Sequence, residues 1–150
     1  MLITNHVLSG ALLGLAAPGP LTGFALGVAS HFTLDSVPHW GNQDLFLQVA
    51  VPDGLTGLAT MAHLASLTSR ETPARRATVL ATVLGACLPD ADKPSTLFFG
   101  RSPFPIRVDD WHRSIQRESV RRLPQEFLVA GAALLAFRLL VERRAAARLS

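Results

Sequence analysis

The chain has 150 residues, a length that fits one domain with a substantial core and leaves little room for two. With 49% hydrophobic and 17% charged residues and a mean hydropathy of +0.31, it carries less charge than the roughly 25% of an ordinary soluble protein and leans toward a membrane. A single cysteine, Cys87 in TVLGACLP, excludes a disulfide framework and a cysteine zinc site and reads as a core residue.

Apolar segments rich in Ala, Leu and Gly alternate with Pro and Gly breakers, a pattern that predicts helices. Thr4 and Asn5 can cap a first helix, HVLSGALLGLAA, which the PGP at 18 to 20 ends. A second, LTGFALGVASHFTLD, runs until Pro38 forces a stop near Val37. A third begins near Pro52 and Asp53 and continues to Thr68, and a fourth, ATVLATVLGACL, precedes Pro89. Residues 89 to 110 hold several prolines and read as a long loop of the kind that marks function. A helix from Asp109 and Asp110 then carries WHRSIQRESVRRL, and Pro124 opens a last one, QEFLVAGAALLAFRLLVERR. The expected fold is therefore all-α, a single-domain compact bundle over residues 1–150, of about five to six apolar helices with a long Pro-rich loop.

No segment offers the roughly 20 uninterrupted apolar residues of a standard spanning helix. The last helix, followed by Arg138 and the Arg143-Arg144 pair, is the best candidate for a span or an interfacial anchor. MLITNH lacks the positive n-region of a cleavable signal peptide.

Charge is unevenly spread: all fourteen Lys and Arg residues follow residue 69. Before Arg70 the only charged side chains are Asp35, Asp44 and Asp53, and His6, His31, His39 and His63 lie there too. The first half thus holds metal-ligand types without cations. The basic second half suits an anionic lipid surface or a phosphate-bearing substrate, and places the chain at the cytoplasmic membrane with its basic segments on the cytoplasmic side. Nucleic acid is not favoured, because no basic helix interleaves aromatics.

In SHFTLDSVPHW, His31 and Asp35 lie four apart, one above the other on a helix, and can reach one ion together. Pro38 ends that helix, so His39 can fold back toward the pair. Imidazole with carboxylate suits zinc, iron or manganese. In LPDADKPSTLFFG, Asp90 and Asp92 lie two positions apart, so a turn can aim both at an ion or leave one as a base. In DDWHRSIQRES, His112 precedes Gln116 by one helical turn, and Arg113 can hold a phosphate oxygen. His6, in the first turn of an apolar helix, needs a polar partner. The bland reading of each is open too: Asp35 and Asp53 as caps, Asp90 and Asp92 as turn residues, His112 at the surface, and His63 in a core or interface.

GACLPDADKPSTLFFGR resembles the LPDxDHPxSxxG stretch of the membrane-bound, metal-dependent hydrolases that include the LexA-binding, inner-membrane-associated family. TNHVLSGALLG resembles that family's N-terminal His segment, and WHRSIQRES its HRGxTHS segment. The resemblance implies metal ligands at His6, Asp90, Asp92 and His112. Two family histidines are replaced, one by Lys93 and one in the neighbourhood of Gln116 and Arg117. SHFTLDSVPHW is also similar to the HxxxDxxxPxH motif of zinc-dependent phospholipases C, shortened between Asp35 and His39.

These readings combine into a metal-dependent hydrolase of an ester, with a phosphoester favoured, binding zinc through His6, His31, Asp35, His39, Asp90 and His112. Asp92 or Asp53 accepts a proton from water, and Arg113, with Arg101 or Lys93, neutralises the substrate's charge. The alternative is a non-enzymatic helical membrane interaction or scaffold protein in which the same residues cap helices and pair across the bundle.

Overall fold

The computed structural model describes residues 1–148. It is all-α, as the apolar periodicity implies, and seven α-helices follow one another among the described residues: α1 (Ile3–Ala16), α2 (Pro20–Asp35), α3 (Phe46–Leu67), α4 (Pro73–Cys87), α5 (Asp92–Phe99), α6 (Ile106–Ile115) and α7 (Leu123–Ala147). Short 3-10 turns at Thr68–Arg70, Leu88–Ala91 and Val120–Arg122 join them.

Helix α1 is the axis of the bundle, packed by α2, α3, α4 and α7. Its Val7, Leu8, Ala11 and Leu15 form the core with Leu64 of α3, Val79 and Val83 of α4, and Phe137 and Val141 of α7. Helices α2 and α4 meet backbone to backbone: a Cβ at Gly27 would collide with the Thr82 carbonyl, and one at Gly85 with that of Phe24. Small residues at such crossings let dispersion act over a long shared face, a packing mode that membrane bundles favour.

Several boundaries differ from the sequence reading, each for a local reason. Thr4 and Asn5 do not cap α1 but lie inside it, because the cap comes from elsewhere in the chain. Asp53 of α3 accepts from the Ile3 amide at 2.5 Å and the Thr4 hydroxyl at 2.6 Å. Glu126 of α7 accepts from the Leu2 amide at 3.1 Å and the Asn5 amide group at 2.7 Å. Helix α3 begins at Phe46, so Pro52 sits inside it and forfeits one rung of the ladder. The Pro-rich stretch carries α5, since Pro89 and Pro94 occupy first-turn positions where no N–H is missed. Gly100, at φ 72°, ends α5 in the left-handed conformation. Helix α6 stops at Ile115, and residues 116–119 run extended beside the exit of α2. There the Arg117 amide donates to the Asp35 carbonyl (3.3 Å), the His39 amide to that of Arg117 (3.0 Å), and the Ser119 amide to that of His39 (2.8 Å). His63 is exposed on α3 rather than in the core, and Cys87 is half-buried, its thiol pushed up to about 12 by burial.

Candidate metal centre

Four side chains from three regions of sequence meet at one end of the bundle. His31 and Asp35 project from the last turn of α2, Asp90 from the 3-10 turn after α4, and His112 from α6. All four are buried, and each offers a ligand atom within 4.8 Å of the others, so the group could hold a metal ion.

The approach of α2 to α4 sets the first of these ligands. One turn beyond Gly27, the His31 Nδ1 lies 2.7 Å from the Ala86 carbonyl. A carbonyl only accepts, so Nδ1 carries the proton that it shares with Ala86, and Nε2 faces His112 and Asp35. A backbone partner that fixes the tautomer in this way is the usual support of a metal-ligating histidine. The extended strand at 116–119 sets the second, by holding the end of α6 against Asp35.

His31 Nε2 lies 3.1 Å from His112 Nε2 and 3.2 Å from Asp35 Oδ2, and His112 Nε2 lies 2.9 Å from the same oxygen. Donors around a tetrahedral ion with bonds of about 2.0 Å are about 3.3 Å apart, so this triangle has the size of one face of such a shell. Asp90 Oδ1 is farther, 3.7 Å from His31 Nε2, and is also ion-paired to the Lys93 ammonium.

Both carboxylates of the group are held in the charged form. Burial opposes the Asp35 carboxylate's charge, but the close imidazoles of His112, His31 and His6 and the Met1 ammonium, 2.8 Å away, hold it well below the usual carboxylate range. Asp90 is also held low: burial works against its charge, and Lys93, His6 and His31 outweigh burial. Lys93 is raised, burial again being outweighed by Asp90. His6 is lowered to about 4 by burial, with Asp35 opposing, and stays neutral near pH 7.

The remaining candidates divide. His6 stacks on His31 with ring centroids 4.0 Å apart, and its Nε2 lies 3.2 Å from Asp35 Oδ1 without hydrogen-bond alignment, so both of its buried ring nitrogens are unpartnered. Asp92 stands beside the group, its buried Oδ1 4.0 Å from Lys93 Nζ and without a hydrogen bond. His39 is buried outside the ligand group, its Nδ1 2.8 Å from the Val37 carbonyl. Asp53 is spent on the N-terminus of α1, a structural task away from the group. Arg113 is exposed and bonds Asp110 at 3.2 Å, while Arg101 lines a shallow surface cavity with Ser95, Phe99, Ser102 and Pro103. Of the three cations chosen from sequence, Lys93 is the one that touches the group.

Two participants escaped the sequence reading as site residues. Gln116 places its amide 3.4 Å from Asp35 Oδ2 and 3.3 Å from His112 Nε2. Glu126 joins the Leu2 amide, Asn5 and the Trp40 amide, tying α1, α7 and the segment after α2 together beside the site. A lone acid in the apolar opening LPQEF was its only signal.

No family model, curated protein or solved structure matches the chain.

Proposed function

We propose that this chain is a membrane-associated, metal-dependent hydrolase of an ester, with a phosphoester the favoured class. The observation that carries the reading is the convergence of His31 Nε2, His112 Nε2 and Asp35 Oδ2 at 2.9 to 3.2 Å, with Asp90 beside them. Two neutral imidazoles and a carboxylate fit zinc well. A divalent ion supplies Lewis acidity to water and to the ester oxygen. His31, Asp35 and His112 hold that ion, and the Ala86 carbonyl keeps His31 in the right tautomer. Asp92, whose buried Oδ1 accepts no hydrogen bond and lies 4.0 Å from Lys93 Nζ, would take the proton from water. Lys93 provides positive charge for an anionic substrate, as the developing charge requires.

Membrane attachment is supported by α7, which with its preceding turn spans 28 residues, Val120–Ala147, and whose 18-residue apolar window has a mean hydropathy of 1.5 and is 17% buried. It is further supported by the reversed polarity of the molecule. His6, His31, Asp35, His39 and Glu126 are inside, while Leu21, Leu55, Phe99 and Leu128 are 65 to 85% exposed. Water disfavours both arrangements, and lipid disfavours neither.

Two observations favour the structural alternative: the Lys93 ammonium already balances Asp90, and the Met1 ammonium already balances Asp35. Hydrolysis of a chromogenic phosphodiester by the purified protein separates the two readings. The expected result is turnover stimulated by zinc, abolished by a chelator and lost in Asp35→Asn. Hydrolysis indifferent to both treatments, or absent under every metal, overturns the hydrolase reading.

A further inference from the structure

The segment that links the metal centre's Asp90 to its His112 is an arm with almost nothing beneath it. Helix α5 has no buried residue, and its Leu97, Phe98 and Phe99 are 53, 74 and 78% exposed. At the start of α6, Ile106 is 68% exposed and Val108 41%, and Trp111, edge-on to Phe32 of α2 with ring centroids 4.6 Å apart, keeps 50% exposure while its neighbour His112 is buried in the site. An eight-residue helix does not hold itself together in water, and an aromatic cluster of this kind is not left bare without a use. Between Pro94 and Val108 the only charged residues are Arg101 and Arg107, both exposed. The apolar and aromatic side chains between these bounds match a bilayer interface, where rings sit at headgroup level and cations meet lipid phosphates, with Asp92 and Lys93 before them and Asp109 and Asp110 after.

Position agrees with composition. The apolar run of α7 opens at the metal-centre end of the bundle, where Glu126 bonds the Leu2 and Trp40 amides and Gln125 donates to the Pro38 carbonyl at 3.0 Å. Arg121 and Arg122 are exposed just before it. If α7 crosses a bilayer, the interface that it enters lies at the same end as the arm.

We propose that the α5–α6 arm, residues 92–111, is an interfacial dock: Phe98, Phe99, Ile106 and Trp111 enter the headgroup and upper acyl region of an anionic bilayer, and Arg101 and Arg107 hold lipid phosphates. This inference rests on the membrane association proposed above. It names the substrate class as a membrane-borne phosphoester, because the helix that carries Trp111 into lipid carries His112 into the site.

Trp40 is buried, at 7% exposure, so Trp111 is the reporter. The full chain is reconstituted in vesicles of phosphatidylcholine and in vesicles with equal phosphatidylglycerol, each with lipids brominated in the upper acyl chain. The signal is the difference between wild type and Trp111→Phe. The expected result is quenching of Trp111 by the brominated lipid, protection from aqueous iodide, and loss of most of that quenching in Phe98→Asp/Phe99→Asp, whose sites touch no core residue. Arg101→Ala/Arg107→Ala is expected to erase the gain that anionic lipid brings. Integration of the chain with Trp111 open to iodide and untouched by brominated lipid overturns the dock and leaves the membrane reading standing. Release of the chain from membranes by alkaline carbonate overturns both.

Discussion

At the scale of residues, the site depends on a few groups whose alternatives are costly. His31 has one nitrogen on the Ala86 carbonyl and the other facing His112 and Asp35. His31→Ala leaves a buried carbonyl unsatisfied, and is expected to cost about 1–3 kcal/mol of stability in thermal melts. His6 adds a pH dependence. Its folded value near 4 lies below the 6.5 of an unfolded histidine, so the unfolded state binds the proton first. The stability that neutral His6 contributes is complete above 6.5 and is lost as pH falls toward 4. The metal-free protein should therefore weaken by up to about 3 kcal/mol across that window. His6→Phe should flatten the slope in denaturant titrations taken at several pH values; a slope shared by both proteins would remove His6 as its source.

At the scale of elements, glycine packing places the first ligand. Gly27→Leu pushes α2 from α4 at the turn below His31, and overpacking of this kind costs about 1–3 kcal/mol. Zinc uptake should fall in Gly27→Leu even where the fold survives, as read by metal content against circular dichroism. Asp53→Ala should lower stability by about 1–2 kcal/mol through loss of the cap on α1, with metal content unchanged. Retention of full stability would show that the α1 N-terminus does not rely on Asp53. Much of this level was legible in the sequence. Periodicity and prolines marked α1, α2, α4 and α7, and four-residue spacing put His31 and Asp35 on one face. What stayed hidden was tertiary: α1 takes its cap from Asp53 and Glu126, which accept from the Ile3 and Leu2 amides 50 and 124 positions away. The break after Ile115 depends on pairing with His39, which no local propensity at Gln116 announces.

At the scale of the molecule, a polar site closes one end of a bundle whose flanks are apolar. The other end is held by Arg75, which donates to the Ala17 carbonyl at 2.6 Å, and Arg144, which donates to that of Leu15 at 2.9 Å. Convergence of His31, Asp35, Asp90 and His112 could not be read from spacing, because it follows from how α2, α4 and α6 are stacked. Sequence could only nominate the members, and it nominated His39 alongside them. If α7 anchors the chain, Leu128→Arg/Leu135→Arg, both on exposed positions, should release it from membranes that retain the wild type through alkaline extraction. The metal centre itself is tested most directly by elemental analysis of the purified protein after equilibration with zinc and removal of excess. Wild type is expected to retain zinc, and His31→Ala/Asp90→Ala to retain none while staying helical. Equal zinc in the two proteins, or none in either, would contradict the metal centre.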